Sequence, residues 1–133
     1  MRVYVASKFE EKDRTRQVIE VLRNMGHQVT HDWTTEVPYA EGDPRGPPYY
    51  RKCAEEDVRG VETADAVILL SHPEGKGMFV EMGIAIGRGI PIIAVGPHWN
   101  TIFFELACVT KVGTIEAAYV MLEEHRKKFS AVG

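Results

Sequence analysis

The chain reads as one doubly wound α/β domain spanning residues 1–133, with a parallel sheet of four or five strands. Three observations lead there. Ala66–Leu70 and Pro91–Val95 are short, continuous apolar runs, the pattern of strands buried on both faces. Between them lie a turn punctuated by Gly75 and Gly77 and a stretch in which Val80, Ile84 and Gly87 recur at helix spacing. The other apolar segments alternate between strand-like and helix-like patterns, which implies right-handed crossovers between parallel strands.

In chain order, Arg2–Ala6 is the first predicted strand and Ser7–Asp13 a polar loop. A helix follows to about Met25, with Val18, Ile19, Leu22 and Met25 as one stripe and Gly26 as its stop. His27–His31 is the second strand, and Asp32 and Trp33 stand just past its end. Residues 34–52 differ from everything else: Pro38, Pro44, Pro47, Pro48, Gly42 and Gly46 are interleaved with Tyr39, Tyr49 and Tyr50. A stretch that long without periodicity is expected to be a loop, and in an enzyme a lid over the site. Cys53–Thr63 reads as a helix with Ala54, Val58 and Val61 inward, leading into the strand Ala66–Leu70. After the strand Pro91–Val95, Asn100–Cys108 is expected to be helical through Ile102, Phe103 and Leu106. Val109–Val112 is a short edge strand, and Thr114–Lys128 a closing helix with Ile115, Ala118 and Leu122 buried. Its basic last turn, from His125 to Lys128, complements the negative end of the helix dipole.

A chain of 133 residues with 44% hydrophobic and 26% charged residues has the balance of an ordinary globule with its own core. A net charge of −3 supplies no basic field, so no nucleic-acid polymer is expected as a partner. No apolar run reaches the roughly 18–20 residues of a membrane helix, and the N-terminus enters a strand without the layout of a signal peptide. Cys53 and Cys108 lack CxxC spacing and read as reduced thiols. The expectation is a cytoplasmic protein without a membrane partner.

The familiar phosphate motifs fail. A P-loop needs glycine five residues ahead of Gly75-Lys76, where Leu70 stands; a dinucleotide fingerprint needs glycine at Val80. The five histidines show no HxH or HExxH spacing, so no metal is expected. There is no GxSxG elbow for a serine nucleophile. Polar groups remain at the ends of the strands: Ser7, Asp32, Ser71 and, in the first turn of the following helix, Glu81. Open α/β sheets bind ligands at that edge. A glutamate in a helix's first turn would be held ionised by the dipole and free amides, either as a nucleophile toward an electrophilic carbon or simply as a helix-start acid. A second carboxyl held protonated would supply a leaving group with its proton; Asp57 reads equally as such an acid or as a solvated helix residue. Asp65 reads as a cap or turn residue. Trp33 and Trp99 follow strand ends, as core aromatics or as platforms for a flat base.

Taken together, Val3-Tyr4-Val5-Ala6-Ser7, Asp13-Arg14-Thr15, Thr30-His31-Asp32-Trp33, Asp57 with Ala64-Asp65, and Gly77-x-x-x-Glu81-Met82-Gly83 resemble the nucleoside 2-deoxyribosyltransferase family and the related deoxynucleoside 5′-monophosphate N-glycosidases. The similarity runs over roughly residues 2–96. It implies a flavodoxin-like sandwich, a homodimer or larger homo-oligomer with shared sites, and a small-molecule nucleoside or nucleotide as ligand. It further implies that Glu81 attacks the anomeric carbon, that Asp57 assists departure of the base and that Tyr4 orients Glu81. In the nucleotide-cleaving branch, the loop after strand one and the arginine of D-R-T hold a 5′-phosphate, which implies Ser7, Lys8 and Arg14. With Asp32, Trp33, Ser71 and Gly77 these form the candidate substrate-binding set. The chain departs from that branch at Gly75, where a serine is usual, and Lys76 beside it offers an electrostatic substitute.

The reading that follows is an enzyme cleaving the N-glycosidic bond of a (deoxy)nucleoside or its 5′-monophosphate through a glycosyl-Glu81 intermediate. Water or a second base accepts the sugar. No metal or organic cofactor is called for, because carboxylates do the covalent and proton-transfer work. The alternative is a non-catalytic nucleotide-sensing module, which would have no use for a carboxylate at the anomeric carbon.

Overall fold

A computed structural model describes residues 1–132, with side chains described through Lys128. Five strands, β1 (Arg2–Ala6), β2 (Gln28–Val29), β3 (Ala66–Leu70), β4 (Ile92–Val95) and β5 (Val109–Val112), form one sheet in the order β2-β1-β3-β4-β5. Every pairing is parallel. The four principal helices are α1 (Lys12–Asn24), α2 (Gly46–Glu62), α3 (Lys76–Arg88) and α4 (Ile115–Val132). This is the flavodoxin-like order, whose strand sequence reverses between β1 and β3 and opens a crevice at their carboxyl ends.

Side-chain alternation along the central strands decides which residues meet which helices. Val3 and Val5 of β1 join Ile68, Ile93 and Val95 on the face covered by α1 and α4, through Val18, Ile19, Leu22, Ala118 and Leu122. Tyr4 and Ala6 join Val67, Leu69, Ile92 and Ala94 on the opposite face, against Val61 of α2 and Met78, Met82 and Ala85 of α3. Tyr4 therefore points into the α2/α3 layer. Asp65 is tied down as the sequence suggests: its carboxylate accepts from the Arg2 backbone N–H at 2.8 Å and pairs with the Arg2 guanidinium at 3.1 Å.

Several elements differ from the sequence expectation, each for a physical reason. Helix α2 begins at Gly46, inside the expected loop, because Pro47 and Pro48 occupy its first turn, where a missing N–H costs nothing. Ala54 and Val58 face outward, and α2 turns Gly60 and Val61 to the sheet instead. On α3 the buried stripe is Met78, Glu81, Met82 and Ala85, while Val80 is 61% exposed. An apolar stripe alone could not reveal a face that includes a glutamate. The second strand shrinks to Gln28–Val29 at the sheet edge. The expected helix over residues 100–108 is only a 3₁₀ turn at Ile102–Glu105, which buries Phe104 and leaves Ile102 and Phe103 exposed.

Gly60 sets how closely α2 approaches β1. A Cβ there would lie 2.8 Å from the His31 Cβ and 3.0 Å from the Tyr4 ring. Gly60→Ala is accordingly expected to destabilise the fold by about 1–3 kcal/mol through overpacking, read from the midpoint of a urea unfolding curve at unchanged slope.

Candidate active site

A cleft of about 440 Å³ opens at the carboxyl ends of β1 and β3. The loop after β1 contributes Ser7, Lys8, Phe9 and Glu10, and the turn into α3 contributes Glu74 through Met78. Trp33 and Glu36 come from the segment after β2, Asp57 from α2 and Glu81 from α3. Four segments distant in sequence thus converge where the strand order reverses.

Glu81 is the sixth residue of α3, in its second turn rather than its first, beyond the free backbone amides. It is 7% exposed and accepts a hydrogen bond from the Tyr4 hydroxyl, delivered from the central strand. Burial pushes its carboxyl well above the ordinary glutamate range. The expectation of a carboxylate held ionised by the helix dipole is therefore corrected. Its surroundings favour the protonated acid, with Tyr4 as its polar contact.

Asp57 projects from α2 into the same cleft and is held up to about 8, first by burial and then by hydrogen bonding and repulsion from Glu36. Glu36 is raised as well, mainly by burial. His31 Nε2 lies 2.9 Å from Glu36 Oε2 and 3.2 Å from Asp57 Oδ1, with Glu56 3.9 Å away. Glu36 is not among the residues the sequence points to, and His31 stands there only within the Thr30–Trp33 segment, with no role assigned. They flank the second strand's exit, and only packing of α2 onto that exit brings them to Asp57. The ligating atoms of His31, Glu36 and Glu56 fall within 4.8 Å of one another. The imidazole–Glu36 hydrogen bond accounts for that gathering, and no metal is assigned to it.

Of the candidate substrate-binding residues, Ser7, Lys8, Trp33 and Gly77 line the cleft. The Ser7 hydroxyl oxygen is buried and lacks a hydrogen-bond partner among the described residues. Lys8 Nζ lies 3.5 Å from Glu74 and 3.9 Å from Glu10. Trp33 is a core residue whose Nε1 donates to the Val5 carbonyl at 2.7 Å, with Phe9 beside its ring. The structure does not bring Arg14, Asp32 or Ser71 to the cleft. Arg14 is exposed on α1, on the far side of the sheet. Asp32 caps the turn at Trp33–Thr35 by accepting from the Thr34 N–H at 2.9 Å. Ser71 Oγ accepts from the His98 N–H at 3.1 Å. Trp99 packs on Phe104, away from the site. Of residues 34–52, only Glu36 lines this cleft; Tyr39 to Asp43 border a separate hollow.

Two carboxyls that hold protons more tightly in the fold than in the unfolded chain stabilise it at low pH. That contribution is lost as pH rises from their unfolded values, ordinarily 3.8 for Asp57 and 4.5 for Glu81, toward their raised folded values. Glu81→Gln and Asp57→Asn are each expected to raise the melting temperature near pH 8, with the gain shrinking toward pH 4. Thermal unfolding across that range measures it.

Comparison with known proteins fits this architecture. No curated protein sequence matches the chain. Among solved structures, a 2-deoxyribosyltransferase from Bacillus psychrosaccharolyticus superposes with a TM-score of 0.57 at 21% identity, covering 77% of each chain. The Clostridium botulinum CMP N-glycosidase BcmB superposes with a TM-score of 0.60 at 19% identity, covering 84% of this chain and 88% of the other. At such identities the likeness is one of fold. The family model for nucleoside 2-deoxyribosyltransferase, however, matches residues 3–130, nearly the whole sequence. The chain belongs to the nucleoside 2-deoxyribosyltransferase family of enzymes.

Proposed function

We propose that this enzyme cleaves the N-glycosidic bond of a (deoxy)nucleoside or its 5′-monophosphate by double displacement on Glu81. The observation that carries the reading is the buried Glu81 held by the Tyr4 hydroxyl, with a second carboxyl, Asp57, in the same cleft, where burial and Glu36 favour its acid form. In the first step the ionised Glu81 carboxylate forms a bond to C1′. The C1′–N bond breaks, its electron pair leaves with the base, and Asp57 gives its proton to a ring nitrogen. In the second step water, or the nitrogen of another base, attacks C1′; the ester to Glu81 breaks, and the acceptor's proton returns to Asp57. The opposed demands on the two carboxyls, one charged and one protonated, are those of retaining glycoside chemistry.

Ser7 offers a free hydroxyl to a substrate oxygen, and Gly77 lets the substrate approach the start of α3. Lys8 and Lys76 are the cationic side chains lining the cleft. A phosphate there would compete with Glu10 and Glu74 for Lys8. The homo-oligomer implied by the sequence resemblance belongs to the same reading, and Val58, Val80, Ile102 and Phe103 are exposed apolar side chains available to it. Sedimentation velocity at micromolar concentration should return a dimer or larger species; a monomer counts against that part.

The test is chromatography of ribo- and deoxynucleosides and their 5′-monophosphates after incubation, with and without a second free base. Wild type should release base, and Glu81→Ala should lose about 10³-fold or more of that rate. A new nucleoside formed only with added base identifies a transferase. The kcat/KM profile should be bell-shaped, with an acid limb above the ordinary glutamate range from Glu81 and an alkaline limb near about 8 from Asp57. Tight binding with no turnover of any substrate would replace the reading with a sensing module.

A further inference from the structure

Three carboxylates crowd one imidazole nitrogen at the wall of the cleft. His31 Nε2 has Glu36 Oε2 at 2.9 Å, Asp57 Oδ1 at 3.2 Å and Glu56 Oε2 at 3.9 Å. The Glu36 and Asp57 side chains are only 14% and 28% exposed, so water does little to screen them from each other. One Nε2–H can be given to one acceptor, and the hydrogen bond of good geometry goes to Glu36. Asp57 Oδ1 is buried and makes no such bond. Three negative charges around at most one positive charge cannot all persist in a half-buried pocket. One carboxyl must keep a proton, and the oxygen denied the imidazole N–H belongs to Asp57.

We propose that Glu36 is a positioning residue that, by taking the His31 N–H and sharing a proton with Asp57, keeps Asp57 in its acid form for the departing base. This rests on the reading of Asp57 as the proton source. Glu36 acts through Asp57 rather than on the sugar. Both carboxyls are shifted upward, and for Asp57 the hydrogen bond it donates to Glu36 and the charge of Glu36 follow burial among the causes. The other groups facing the pair are Asp32 beside Glu36, Glu56 and Cys53 on α2, and Glu81 across the cleft on α3. Lys8 lines the same cleft but is engaged by Glu10 and Glu74. None of these supplies Asp57 with a cation beyond His31.

Removing the Glu36 charge should make Asp57 easier to ionise, so its acid form should be lost at lower pH. The experiment is a ¹³C-carboxyl NMR titration of the ligand-free protein in EDTA, with the Asp57 resonance assigned by its disappearance in Asp57→Asn. In wild type the midpoint should lie near about 8. In Glu36→Gln it should fall by about one pH unit or more, a tenfold change in proton affinity, and Glu36→Asp should restore most of it. The alkaline limb of kcat/KM for base release should move with it. An unmoved midpoint in Glu36→Gln, or a wild-type midpoint in the ordinary range near about 4, overturns the proposal. If the midpoint falls as expected but no substrate releases base, the proton-sharing pair stands and the glycosidic reading fails.

Discussion

Burying a glutamate with no cation beside it is the constraint on which the rest of the site depends. Glu81 has lost most of its water and in exchange receives the Tyr4 hydroxyl. An isolated carboxylate in such a place is costly, so the resting group leans toward its protonated form. That contact requires a tyrosine on the central strand facing the α2/α3 layer, which alternation along β1 provides. It also requires α2 to lie close enough to wall off the tyrosine ring, which Gly60 permits. The hydroxyl, the glycine and the helix face are one arrangement.

On the proposed chemistry that arrangement has a purpose. A carboxylate poorly solvated at rest gains most when positive charge develops at the carbon it attacks, as it does at C1′ while the base departs. Asp57 is governed by the same low-dielectric wall but by different neighbours. Carboxylates and a single imidazole surround it, and the balance keeps its proton in place. Two acids of nearly identical intrinsic strength are thus given different work by their surroundings. The cationic side chains lining the cleft, Lys8 and Lys76, come from the β1 loop and the start of α3, and Lys8 is paired with Glu10 and Glu74 rather than with Asp57.

How far the site could be read from residues alone varied with what each residue needed from its neighbours. Glu81, Asp57 and Tyr4 stand in segments whose order resembles a family, and the structure gathers Tyr4 onto Glu81 in the cleft that Asp57 also lines. Ser7, Lys8 and Gly77 flank strand ends, so they fell into place with the topology. Arg14 did not: helical phase turns it outward on α1, across the sheet from the cleft. Asp32 and Ser71 are spent on backbone N–H groups, a local demand that residue type cannot announce. Glu36 stands in no motif and His31 stands in one without a role of its own; the packing of α2 against the exit of β2 brings both to Asp57.

By itself the sequence determined the α/β class, the strands β1, β3, β4 and β5, and the carboxylate at the carboxyl edge of the sheet. Period-two and continuous apolar patterns are local properties of the chain and survive being read one segment at a time. Tertiary structure alone decided which face of each helix is buried, where α2 begins, and what charge its carboxyls carry. Those depend on burial and on neighbours dozens of residues away. A glutamate's proton is set by the water it loses and the charges it meets, and neither is written in its own stretch of sequence.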